Sequence, residues 1–187
     1  MIKLMEKITI PFLKFAERLR KRADVVDIFG TLADARTILV CMPYKLDAFG
    51  IAKNFVTNIT ADFPNASFQF VVRNDYLNLL NGIKKYGTII VTDKDVNMFG
   101  LPKNELIQKV FSTSYDIVID LNDDFHLLST YLCQKSSASL KICLDNHDRE
   151  LFYNFYFRTQ LHENLENKYR KLVQYLSVDT TSVSVVN

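Results

Sequence analysis

The stretch YDIVIDLNDDFHLLSTYLCQ, residues 115–134, decides the fold. Its first seven residues, YDIVIDL, form a run that is apolar on both sides of the chain, which suits a strand covered on both faces, as in a parallel sheet. The run stops abruptly at the polar residues Asn122, Asp123, Asp124 and His126. DFHLLSTYLCQ (124–134) then reads as the helix leaving the strand. At such a junction Asn122 or Asp123 is expected as the N-cap, with Asp124 favoured by the positive helix end and His126 in the first turn.

Working outward, the same unit repeats. TILVCM (37–42), FQFVV (68–72), TIIVT (88–92) and LKICL (140–144) are apolar runs of strand length. Between them lie AFGIAKNFVTNITADFP (48–64), with Ile51, Phe55 and Ile59 four residues apart, then DYLNLLNG (75–82) and PKNELIQKVF (102–111). Strand and helix alternate, so the expected class is α/β: one Rossmann-like, doubly wound, mainly parallel sheet of about five strands, with helices on both faces.

The ends of the chain differ from this core. We divide the sequence into a basic amphipathic extension (1–35), the Rossmann-like domain (36–157) and a C-terminal helix with a polar tail (158–187). RELFYNFYFRT (149–159) is unusually aromatic; a helix is expected over about 160–176. The tail SVDTTSVSVVN (177–187) reads either as disordered or as a strand added to an exposed edge. At the other end a helix is expected from about 11 to 23, opening at Pro11 because proline is tolerated in a first turn. Residues 1–22 hold seven Lys/Arg against two Glu, more than the whole formal net charge of +2. This helix has two readings. Phe12, Phe15 and Leu19, with Lys14, Arg18, Lys21 and Arg22, suit contact with an anionic membrane or an acidic partner. Alternatively the Phe stripe packs on the domain and the basic face is solvated.

Composition narrows the function classes. Hydrophobic content of 48% and charged content of 24% are those of a soluble globular protein, and a net charge of +2 is too small to argue for nucleic acid. Cys41, Cys133 and Cys143 lie in apolar segments with no CxxC, so they read as buried free thiols in a reducing compartment. No apolar run reaches the roughly 18 residues of a membrane span, and no secretory signal opens the chain. The expected location is the cytoplasm, including its membrane face if the N-terminal helix binds there.

Chemistry in an open α/β sheet sits beyond the carboxyl ends of the strands. The cleft candidates are therefore Tyr44, Lys45, Arg73, Asn122, Asp123 and His126. GxGxxG, GxxxxGK[ST] and GxSxG are all missing, which speaks against dinucleotide binding, P-loop hydrolysis and a serine nucleophile elbow. DNHD (145–148) reads as a polar turn in which Asp145 or Asn146 caps the next helix; no metal and no cofactor are expected. Asp47, opening the first crossover helix, is read equally as a cap or as a general base drawing a proton from a hydroxyl.

The residues TILVCMPYKLDAFG, then FPNASFQFVV, TIIVTD and YDIVIDLN, and finally SSASLKICLDN resemble the N-terminal domain of glycosyltransferase family 9, the lipopolysaccharide heptosyltransferases, over about residues 36–157. The resemblance implies that Asp47 stands where that family has its catalytic base. Leu46 stands where the family has the Gly before that Asp, and Cys143 where it has a strand-closing Gly. The family also has a second Rossmann-like domain that binds the nucleotide-sugar donor, and the match ends before it. The expectation is a non-catalytic binding or structural subunit in a larger assembly with a protein partner. The rival is a glycosyltransferase that acts with a separate donor-binding chain.

Overall fold

Six parallel strands form one sheet in the order β3-β2-β1-β4-β5-β6. The computed structural model describes residues 2–19, 26–80, 86–159 and 163–182. The strands are β1 (Thr37–Cys41), β2 (Ser67–Arg73), β3 (Gly87–Val91), β4 (Ile117–Asp120), β5 (Leu140–Leu144) and β6 (Phe155–Phe157). The helices are α1 (Ile2–Leu19), α2 (Ile28–Asp34), α3 (Leu46–Asp62), α4 (Asn104–Val110), α5 (Leu127–Lys135) and α6 (Leu165–Ser182). Every ladder is parallel, with Ile38 beside Phe68 on one side and beside Ile117 on the other.

The apolar runs behave as their pattern requires. All four residues of β4 are buried, and side chains from its two faces enter separate cores. One core joins Ile38, Val40, Ile117 and Ile119 to α2, α3 and α6, through Leu32, Phe49, Val56, Leu172 and Leu176. The other joins Leu39, Cys41 and Val118 to α4 and α5 through Leu106, Val110, Leu128 and Leu132, with Leu13 of α1 packed at its margin. Helices thus cover both faces, as expected of a doubly wound sheet. The three cysteines are free and buried.

Four local expectations need correction. A sixth strand, β6, lies in the aromatic stretch, pairing Phe155 with Ile142. Three half-buried residues at a sheet edge carry too short a pattern to read, and the connection from β5 holds only a 3₁₀ turn, His147–Arg149. The segment after β2 is a 3₁₀ turn, Asn74–Leu79, and Gly82 lies outside the described residues. Helix α6 continues to Ser182, so the first part of the tail is helical; residues 183–187 lie outside the described residues. Helix α1 starts at Ile2 and runs through Pro11. Proline there removes the hydrogen bond to the residue-7 carbonyl. Tertiary contacts on both sides of Pro11, described below, offset that loss.

Helix α6 closes one face of the molecule by lying on α3 and α2. Tyr169, Leu172, Val173 and Leu176 bury one stripe, and the Tyr175 ring packs at a tilt against Phe155 and Phe157, with centroids 5.3 and 5.9 Å away. Each such burial contributes roughly 1.5–3 kcal/mol. Leu172→Ala is expected to lower unfolding free energy by roughly 2–5 kcal/mol in urea denaturation. A loss under about 1 kcal/mol would mean that α6 is not an integral layer.

Candidate functional site

In this strand order the chain departs in opposite directions after β1 and after β4, and the crevice of such sheets opens there, beyond their carboxyl ends. Asp120, the last residue of β4, sits at the base of that crevice, fully buried. Its partner is the guanidinium of Arg149, also fully buried, with Nη2 at 2.7 Å. Tyr153 donates its hydroxyl to the same carboxylate oxygen at 2.5 Å, and Arg149 Nη2 lies 3.2 Å from that hydroxyl. Burial pushes the Asp120 carboxyl up, but the Arg149 charge and the donors on Tyr153 and Asn122 outweigh it and hold it below the usual carboxylate range.

Asn122 carries this network outward. Its backbone N–H and side-chain amide both donate to Asp120 Oδ1, at 3.0 and 2.7 Å. Its amide oxygen accepts the Tyr44 N–H at 2.8 Å, and its carbonyl accepts from Arg149 Nη1. Asn122 therefore fixes the loop after β1 to the loop after β4. Neither it nor Asp123 caps α5: the N-cap position belongs to His126, whose side chain makes no cap bond. The expected cap failed because the buried Asp120 carboxylate and the Tyr44 N–H claim the Asn122 side chain first. Asn146 does cap its turn, accepting the Asp148 N–H at 3.0 Å.

Above this base lies an aromatic layer. The Tyr44 ring stacks on His126 with centroids 4.2 Å apart and planes at 24°. The Arg73 guanidinium sits 4.5 Å from the Tyr44 ring centre and pairs with Asp75 at 2.6 Å. The Tyr76 hydroxyl donates to the Tyr44 carbonyl at 2.8 Å. Half-buried among these groups, the His126 imidazole is pushed down to about 4, by desolvation first, with Arg149 and Arg73 adding and Asp120 opposing. Beside the stack lies a pocket of about 100 Å³ lined by Tyr44, Arg73, Thr92, Asp93, Gly100 and His126.

The sequence candidates thus separate. Tyr44, Arg73 and His126 meet in one stack. Lys45 leaves it to pair with Asp124, with Asp123 at 3.7 Å, at the exposed rim. Asn122 is buried beneath. Asp47 lines neither the stack nor the pocket; it is exposed in the first turn of α3, where its carboxylate accepts the Ala48 N–H at 2.9 Å. Leu46, beside it, is 57% exposed. Among the described residues no group of three His, Cys, Asp or Glu side chains could hold a metal. Arg149 and Tyr153 escaped the sequence reading. The available signal was an Asp ending an all-apolar strand, since a carboxylate buried there requires a cationic partner elsewhere.

A family model described as a family of unknown function (DUF6913) matches residues 14–178. No curated protein matches the sequence. Among solved structures, the E. coli heptosyltransferase WaaC with ADP is similar over 74% of this chain and 46% of its own, at 15% identity and a TM-score of 0.53. The same enzyme with ADP-2-deoxy-2-fluoro heptose gives 15% identity and 0.58 over 74% and 47%. A glycosyl transferase family 9 protein from Veillonella parvula gives 18% identity and 0.59 over 80% and 43%. At these identities the likeness is one of fold, and the chain spans less than half the length of those proteins.

Two results are expected from this geometry. Arg149→Met strands a buried carboxylate and should cost about 3–5 kcal/mol of stability, measured by denaturant unfolding; a cost below about 1 kcal/mol would remove the pair as the base of the site. For His126, the unfolded chain takes up a proton near pH 6.5 that the folded chain refuses until about pH 4. Stability should therefore be full above pH 6.5 and fall as pH drops through that window, by on the order of 2–3 kcal/mol. His126→Phe, which keeps a stacking ring, should flatten that slope, and an unchanged slope would contradict the assignment.

Proposed function

The chain belongs to the DUF6913 family, and from the filling of its crevice we infer that it is a non-catalytic binding or structural subunit on a glycosyltransferase-like domain, working with a protein partner. The observation that carries this reading is the stack of Tyr44 on His126, with Arg73 against Tyr44, at the place where an open α/β sheet receives a ligand. The chain's own side chains fill that place and are locked from below by Asn122 and Asp120. The remaining pocket of about 100 Å³ is small beside the roughly 300–1,000 Å³ usual for ligand sites.

The placement of Asp47 supports the same reading. A general base must reach the proton it removes, within one hydrogen bond or one water. Asp47 instead bonds to the first turn of its own helix and does not line the pocket. Group transfer also draws much of its rate from holding both reactants in register, which a filled crevice opposes. One observation favours the rival glycosyltransferase: the Asp47 carboxylate is exposed at the rim, open to an acceptor hydroxyl facing a separate donor-binding chain.

Calorimetric titration with ADP-sugars, other nucleotide-sugars and sugar acceptors separates the two. The expected result is no saturable binding below about 1 mM, for the natural chain and for Asp47→Asn alike. Micromolar binding to the natural chain, with transfer to a sugar acceptor abolished by Asp47→Asn, would establish the enzyme instead.

A further inference from the structure

We propose that the outer face of helix α1 is a docking surface for an anionic lipid bilayer, with Phe12 and Phe15 entering the interface. The proposal goes beyond the reading of the crevice and uses a different part of the molecule.

An N-terminal helix with aromatic residues ordinarily turns them inward. Here the opposite face is turned inward. Thr9 is buried and donates its hydroxyl to the Phe99 carbonyl at 3.3 Å. Leu13 packs on the core margin, and Lys14 pairs with Asp148 at 2.6 Å. Glu17 accepts from the Gln134 amide at 2.5 Å. This inward row fixes the rotation of the helix. It leaves Phe12 69% and Phe15 60% exposed, with Arg18 exposed one turn on. The reading in which the Phe stripe packs on the domain is thereby corrected, because polar anchors at 9, 14 and 17 outcompete it.

The aromatic face does not stand alone. The turn held by Thr9 is built by Asn97, whose side chain accepts the N–H groups of Phe99 and Leu101 at 2.9 and 3.2 Å, and Gly100 takes the positive φ of 77° that closes it. That turn presents Met98 at 51% and Phe99 at 41% exposure.

Charge selects the occupant. Residues 1–22 carry Lys3, Lys7, Lys14, Arg18, Arg20, Lys21 and Arg22 against Glu6 and Glu17. Exposed aromatic residues in a segment whose sequence holds a cationic surplus match a surface that is negative outside and apolar beneath, which is the interface of an anionic bilayer. No helix among the described residues is long and apolar enough to cross a membrane, so the mode is adsorption. Lys14, engaged with Asp148, serves as an anchor of the helix; the side chains of Leu19, Lys21 and Arg22 lie outside the described residues.

The test is flotation of the full chain with vesicles of phosphatidylcholine alone and with added phosphatidylglycerol. Binding is expected only to the anionic vesicles, weakening at least about tenfold as ionic strength rises from low to physiological. The double substitution Phe12→Ser and Phe15→Ser should weaken it at least about tenfold without changing the thermal midpoint, because both rings are exposed. Three outcomes would overturn the proposal. One is no binding to anionic vesicles at low salt. Another is binding that survives loss of both rings. The last is a concentration-dependent dimer, abolished by the double substitution, which would assign the face to a second copy.

Discussion

The buried ion pair between Asp120 and Arg149 is the constraint on which the end of this sheet depends. Two charges with no solvent exposure are tolerable only when most of their remaining polar atoms are also engaged. Asp120 meets that demand through Arg149 and Tyr153, both of the β5–β6 connection, and through Asn122 of the β4–α5 junction, which in turn holds Tyr44 of the β1–α3 loop. The β5–β6 connection, the β4–α5 junction and the β1–α3 loop are thereby tied to one carboxylate. Arg149 Nε is the exception, a buried donor with no partner among the described groups. Replacing the whole cluster with well-packed apolar residues of similar volume is often neutral for stability. What it would lose is the register of the three loops, and with it the aromatic stack above them.

From that base two regions of the surface are built separately. At the crevice end Tyr44 is held at its N–H by Asn122 and at its carbonyl by Tyr76. The α1 side is built the other way, with polar anchors inside and aromatic rings outside. Asp148 joins them: it lies one residue before Arg149, so the segment that neutralises Asp120 also holds Lys14.

Much of the fold was legible because buried parallel strands must be apolar on both faces. TILVC, FQFVV and IVID declare themselves in that way, whereas the three-residue edge strand FYF does not. The site was legible only by location. Position after a strand end singled out Tyr44, Arg73 and His126, and the structure brings those three together. Nothing local in the sequence pairs Asp120 with Arg149, 29 residues away and on another loop. For the same reason Asn122 looked like a cap. The orientation of α1 was undecided because helical spacing defines a stripe but not which stripe faces the body; Lys14 and Glu17 decide it through partners more than 100 residues distant.

The central claim is that the chain's own side chains fill the crevice, with His126 stacked and desolvated within it. NMR titration of the His126 imidazole, assigned by comparison with His126→Phe, tests this most directly. The expected result is a pKa near 4, with resonances that do not move when nucleotide-sugars are added. Titration near the ordinary 6.5 of a solvated histidine, or a shift on adding nucleotide-sugar, would contradict it.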